Sequence, residues 1–172
     1  MRRLYLMRHG KAEAGMPPGG GDRERSLVGR GRRESRRVGA FCREQAAPPT
    51  LILCSPARRT VETCDSFCEG FGESLARRVV ESLYMGSPET LLHAVADAGG
   101  AESGVLVVGH NPGLHALALA LGRYGPGPAF RRLSTRFPTA ALAVFETGIE
   151  SWSAFRADSA RLVDFRMAKE LG

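Results

Sequence analysis

No long apolar run occurs in the sequence: nothing in its 172 residues approaches the roughly 18–20 apolar residues that a membrane-spanning helix needs. The opening, Met1-Arg2-Arg3-Leu4-Tyr5-Leu6-Met7, is basic then apolar, as a secretory leader would be. Its apolar part is only about four residues, too short for a leader core, and Arg8-His9 interrupts it. A cytoplasmic protein with no membrane partner is expected. Aromatic residues are scarce, at 7%, and no basic strand interleaves them. The formal charge of +6 could suit nucleic acid, but its carriers are dispersed, several as Arg pairs beside acids as in Arg32-Arg33-Glu34. The charge reads as a solvated surface, with no nucleic acid as partner, and it also suits an acidic or phosphorylated substrate. The four cysteines, Cys42, Cys54, Cys64 and Cys68, form no CxxC, and HExxH is absent, which argues against a zinc site. Cys64 and Cys68 lie one helical turn apart on a shared face, and all four are expected reduced and half-buried. With no carboxylate cluster to hold an ion, neither metal nor cofactor is expected.

What is present is ordinary for a globular chain: 43% hydrophobic and 24% charged residues, without repeats or a convincing linker. One domain over residues 1–172 is expected. Short apolar runs at residues 4–7, 50–54 and 104–108 read as buried strands, with a shorter one at 78–80. Between them lie expected helices over residues 31–44, 56–71, from Pro88 through Val95, and 114–121. Residues 15–21 and 125–128 are Gly/Pro loops, and residues 140–145 and 151–157 read as two late strands, a possible edge hairpin. Strands alternating with helices predict an α/β fold, a three-layer α/β/α sandwich around a mainly parallel central sheet.

Chemistry collects at the ends of three of these strands. The first ends in Arg8-His9-Gly10, the second in Ser55-Pro56-Ala57-Arg58-Arg59, and the strong one at 104–108 in Gly109-His110-Asn111-Pro112. In a parallel sheet these ends share one edge, where ligands gather. Two histidines and at least two arginines would converge there. Cations crowded beside imidazoles repel one another unless an anion fills the gap, and guanidinium forks match phosphoryl oxygens.

Leu6-Met7-Arg8-His9-Gly10 resembles the RHG signature of the histidine phosphatase superfamily (branch 1, phosphoglycerate mutase-like). Ser55-Pro56-Ala57-Arg58-Arg59-Thr60-Val61-Glu62-Thr63 is similar to its S-P-x-x-R-x-x-[QE]-T segment, and Val108-Gly109-His110-Asn111-Pro112 to its second-histidine motif. The stretch Asp22-Arg23-Glu24-Arg25-Ser26-Leu27 and the ending Phe165-Arg166-Met167-Ala168-Lys169-Glu170-Leu171 resemble the SixA-type phosphohistidine phosphatases. The resemblance implies a phosphoglycerate mutase-like fold and a phosphatase in which His9 is the nucleophile and becomes phosphorylated. Arg8, Arg59 and His110 would bind the phosphoryl oxygens, with Arg25 and Asn111 as further pocket residues. The register from Ser55 to Thr63 selects Arg59 over Arg58, which is expected at the rim. A neutral imidazole is a good nucleophile toward phosphorus, neighbouring guanidiniums should keep His9 unprotonated, and they stabilise a loose in-line transition state.

Many members of the superfamily protonate the leaving alkoxide with a glutamate after the third strand. The region here offers Glu81, slightly early, and Glu89, in a helix start, and neither is assigned as the acid. A phosphoramidate leaving group needs less help, so the leading expectation is a metal-independent phosphohistidine phosphatase acting on a phosphorylated protein, such as a phosphotransfer domain. The alternatives are a phosphomonoesterase acting on a small phosphorylated metabolite and, less favoured, a non-catalytic phosphate- or phosphoprotein-binding module. His115 is expected on a helix near the sheet, His93 on the surface, and Trp152 and Phe155 in the core of a late strand.

Overall fold

A computed structural model describes every residue except Tyr124 and Pro126. Six strands form one sheet: β1 (Arg2–Arg8), β2 (Leu51–Cys54), β3 (Ala76–Val79), β4 (Gly104–Gly109), β5 (Leu142–Thr147) and β6 (Ala160–Arg166). Their order across the sheet is β3-β2-β4-β1-β5-β6. The pairings β2–β3, β2–β4 and β1–β4 are parallel, while β1–β5 and β5–β6 are antiparallel. The sheet is therefore mainly parallel, with an antiparallel pair closing one edge.

Alternation along the strands sends side chains to two cores. Leu4, Leu6, Leu53, Val105 and Val107 face one way, against helices α3 (Pro88–Ala98), α4 (Gly113–Gly122) and α5 (Gly127–Thr135). Tyr5, Met7, Ile52, Leu106 and Val108 face the other, against α1 (Gly29–Arg43) and α2 (Arg58–Phe71). Buried on both faces, these strands show no polar alternation, which is why they stand out as plain apolar runs. α3 starts where Pro88 takes the first helical position and the Ser87 hydroxyl accepts from the Thr90 amide. No helix among the described residues is long and apolar enough to cross a membrane.

The second late strand is not at residues 151–157. Trp152–Ala154 is a 3-10 turn, and the edge strand is β6. Trp152 and Phe155 are buried three residues apart, a turn spacing rather than a strand spacing. β6 escapes notice because a register shift between Val144 and Phe145 breaks its alternation, so that Ala160, Leu162 and then Phe165 are the buried positions. The expected loop at 125–128 is also shorter: Gly127 and Pro128 already belong to α5, while Pro126 lies outside the described residues. The helix expected from Pro56 begins at Arg58, and the one expected over residues 114–121 spans Gly113–Gly122. Cys42, Cys54 and Cys64 are fully buried rather than half-buried, and burial pushes the Cys42 thiol upward.

Candidate active site

Strand register alone brings the two histidines together. Arg8 pairs with Gly109 across the parallel strands β1 and β4, so the next residues, His9 and His110, come level, with ring centroids 5.3 Å apart. Cys54 pairs with Val108, which sets Ser55 beside them. Arg59 enters from the first turn of α2. The carboxyl ends of β1, β2 and β4 thus open into one hollow of about 320 Å³, lined by Arg8, His9, Arg25, Arg59, His110 and Asn111 together with Asp22, Tyr84 and Met85. All six residues singled out in the sequence meet there.

Hydrogen bonds fix the proton on each ring. The His9 Nδ1 lies 2.8 Å from its neighbour's carbonyl, Gly10 O, which can only accept. Nδ1 therefore carries the proton, and Nε2 keeps its lone pair. For His110 the order is reversed. The Arg59 Nη2 donates to Nδ1 at 3.2 Å, so Nε2 carries the proton and donates to Ser55 Oγ at 2.7 Å.

The loop holding His9 is braced on both sides. The Gly10 amide donates to Thr63 Oγ1 at 2.9 Å, and that hydroxyl donates to the Arg59 carbonyl at 2.6 Å. On the opposite side Gly10 lies against α1: a Cβ on Gly10 would fall 2.7 Å from the Gly31 carbonyl, and one on Gly31 would fall 2.3 Å from the Lys11 carbonyl. Only glycine admits this approach. The strip at residues 136–140 closes the remaining flank. The Phe137 carbonyl accepts from Arg8 Nη1 at 3.2 Å and Asn111 Nδ2 at 2.9 Å. The Ala140 amide donates to the carbonyls of both Arg8 and His9, with Ala140 in the left-handed region at φ 57°. That conformation costs a non-glycine residue about 1 kcal/mol, so it is held there by its surroundings.

Arg59 is 3% exposed and turns two nitrogens toward Asp22: Nη1 to the backbone carbonyl at 2.8 Å and Nη2 to Oδ2 at 2.9 Å. The same carboxylate accepts from Arg25 Nη1 at 3.0 Å and from the Tyr84 hydroxyl at 2.5 Å. Those donors, Tyr84 foremost, hold the Asp22 carboxyl well below the usual carboxylate range. Arg23 stacks on the Tyr84 ring at 4.2 Å and steadies it. The Nε atoms of Arg8 and Arg59 are buried without a partner. Orphaned guanidinium donors around a hollow suit an anion.

Burial, more than the neighbouring cations, depresses the imidazoles. His9 is pushed down to about 4, first by desolvation and then by Arg59, Arg8 and Arg25. His110 is pushed down to about 3 by desolvation, then by His9 and Arg59. Both rings are neutral near neutral pH.

The residues set aside in the sequence lie elsewhere. Arg58 is exposed and pairs with Glu62 at 2.9 Å, as the register requires. Glu81 pairs with Arg23 at 2.6 Å on the surface, and Glu89 is exposed in the first turn of α3. The His115 ring bonds to the Leu133 carbonyl at 2.8 Å, and His93 is exposed. Sequence reasoning passed over Asp22, Tyr84 and Met85 as pocket residues. Only Asp22 carried a signal, its place three residues before Arg25. Met85, 52% exposed with φ 52°, holds an apolar side chain at the rim in a conformation its type rarely takes.

Residues 4–84 match the family model of the histidine phosphatase superfamily (branch 1). An uncharacterized protein of Mycobacterium leprae is 32% identical over 166 residues, covering 95% of this chain and 100% of the relative. Among solved structures, the SixA protein of Agrobacterium tumefaciens, named for phosphohistidine phosphatase activity, is 30% identical with a TM-score of 0.77, over 96% of this chain and 97% of that one. The similarly named SixA of Nakamurella multipartitia is 28% identical with a TM-score of 0.82, over 96% and 95%.

Proposed function

This chain belongs to the histidine phosphatase superfamily (branch 1) and is a phosphatase of the SixA type, and from that premise we propose that it works through a phosphohistidine on His9 and takes its phosphoryl group from phosphohistidine in a protein. The observation that carries the mechanism is the ring of His9, whose Nδ1–H is tied to the Gly10 carbonyl, leaving a bare, neutral Nε2 among Arg8, Arg25 and Arg59. Nε2 forms a bond to phosphorus while the bond from phosphorus to the substrate's leaving nitrogen breaks, and the leaving imidazole carries off the electron pair and takes a proton. Water then attacks phosphorus, the Nε2–P bond breaks, one proton is released, and inorganic phosphate departs. Arg8 and Arg59 stabilise the equatorial oxygens in both steps.

The acid question supports the phosphoramidate. Neither Glu81 nor Glu89 lines the pocket. Asp22 does, but Tyr84, Arg25 and Arg59 favour its ionised form, so it is poorly placed to protonate an alkoxide. An imidazole leaving group needs less help. The SixA relatives bear the name of this activity. The free cysteines suit the reducing cytoplasm expected from the sequence.

Trapping with a chromogenic phosphate ester, followed by mass spectrometry of wild type and His9→Ala, tests the mechanism. Phosphate on His9 of the wild type alone is expected; label on another residue, or full activity in the variant, refutes it. A panel setting phosphohistidine peptides against sugar and nucleotide phosphates tests the substrate, and faster turnover of an ester would assign the enzyme to small metabolites.

A further inference from the structure

On the far side of the strip at residues 136–140 lies a second, smaller hollow of about 160 Å³. This strip links the two hollows. Phe137 and Ala140 hold Arg8, His9 and Asn111 on one side, and Arg136, Pro138 and Thr139 line the other. Arg30 at the start of α1 and Lys169 after β6 complete its charged lining, with Glu34 beneath. All lie at the sheet edge where the phosphoryl pocket opens, because α1 starts there and β6 ends there.

The charge balance around this hollow is uneven. Arg136 and Lys169 are exposed and make no ion pair or side-chain hydrogen bond among the described residues. Arg30 engages Glu34 through Nε at 2.7 Å, which leaves its terminal nitrogens available. The first turn of α1 holds Arg30 and Arg32 and no acid, the wrong sign for a helix N-terminus. Nearby carboxylates are paired with cations: Glu34 with Arg30 through Oε1, its Oε2 being buried without a partner, Glu62 with Arg32 and Arg58, Glu170 with Arg132, and Asp164 with Arg166. The lining itself sums to two positive charges, three cations against Glu34. A further hollow, which shares Arg25 with the phosphoryl pocket, by contrast carries Glu13 and Glu24 beside Arg25 and Arg58.

We propose that the cationic hollow of Arg30, Arg136 and Lys169 docks an acidic segment of the phosphorylated protein, seating an aspartate or glutamate while the phosphoryl group enters the His9 pocket. The inference rests on the protein-substrate reading above and deepens it: the substrate carries a carboxylate near its phosphohistidine. The strip joins the two sites at the same end of the sheet, so that a single partner segment can reach both. An anion between two or three surface cations gains a modest amount from each, which for this site corresponds to about ten-fold in affinity and is screened by salt.

The test uses the full chain, the double variant Arg136→Gln/Lys169→Gln, and two synthetic phosphohistidine peptides that differ only in glutamate or glutamine residues flanking the phosphohistidine. Wild type should show a KM about ten-fold lower for the glutamate peptide, a preference that shrinks to within about two-fold in the double variant and at about 0.5 M salt. The kcat/KM for a chromogenic ester should stay within about two-fold, since neither residue lines the phosphoryl pocket. Equal KM values in wild type, or a preference that survives in the double variant, overturn the docking site alone. Failure to turn over either peptide while the ester is cleaved overturns the protein-substrate reading and the docking site with it. Competition by single-stranded RNA through the same two residues, without any glutamate preference, would reassign the surface to nucleic acid.

Discussion

Acid should unfold this protein through its own pocket. Both imidazoles are buried and neutral, His9 pushed down to about 4 and His110 to about 3 from an ordinary value of 6.5. An imidazole whose value is lower in the native state takes up its proton only on unfolding. Stability from this source is therefore complete above about pH 6.5 and declines as the pH falls toward the native values. Between about pH 7.5 and pH 5 each ring should cost about 2 kcal/mol, or about 4 kcal/mol for both. That is a large share of the roughly 5–15 kcal/mol that typically holds a domain together. Urea unfolding at these two pH values, on wild type, His9→Gln and His110→Gln, isolates the effect from other titrating groups. Each single variant should lose about 2 kcal/mol less than wild type over the interval. Inorganic phosphate should shrink the wild-type loss, because a bound anion favours the protonated rings. Identical losses in all three proteins would refute the reasoning, since the pocket would then not hold its histidines neutral.

Arg59→Ala should lower kcat/KM by about 10²–10³, whereas Arg58→Ala should stay within about two-fold, because only Arg59 is buried in the pocket. Similar losses in steady-state kinetics would mean that the register is misassigned. Asp22→Asn should make inorganic phosphate a tighter inhibitor by about ten-fold, since the anion no longer meets a carboxylate already seated on Arg25 and Arg59. Weaker inhibition would show instead that Asp22 chiefly keeps those arginines in place. Ser55→Ala leaves the buried His110 Nε2–H without its acceptor and should cost about 1–3 kcal/mol in thermal or urea unfolding, while Ser55→Thr should recover part of it.

The parts of the molecule that could be read from sequence share one property: their signal is local. β1, β2 and β4 are short apolar runs because both faces are buried, and each is followed at once by its reactive residues. Parallel pairing then fixes that His9, His110 and Ser55 converge. What stayed hidden depends on contacts between distant segments. Asp22 and Tyr84 are 62 positions apart, and nothing at either place announces the hydrogen bond that joins them over Arg59. β6 is disguised by its bulge, and α5 by the Gly/Pro stretch that leads into it. The cause of the low imidazole values was also partly hidden. Cationic neighbours are visible in the motifs, but burial, the larger cause, follows only from packing.

Thr63 gives the motif spacing a practical meaning. Its hydroxyl takes the Gly10 amide and gives its proton to the Arg59 carbonyl, so nucleophile loop and clamp helix hang on one oxygen atom. Residues 8–10 and 55–63 are therefore one transplantable part in two pieces of chain. A chimera that exchanges either piece for a relative's would keep every motif residue yet risk losing their alignment, and one that exchanges both together should carry the geometry with it. The Gly10 amide proton, bonded across that joint, is also the natural nuclear magnetic resonance reporter of whether the two pieces are seated.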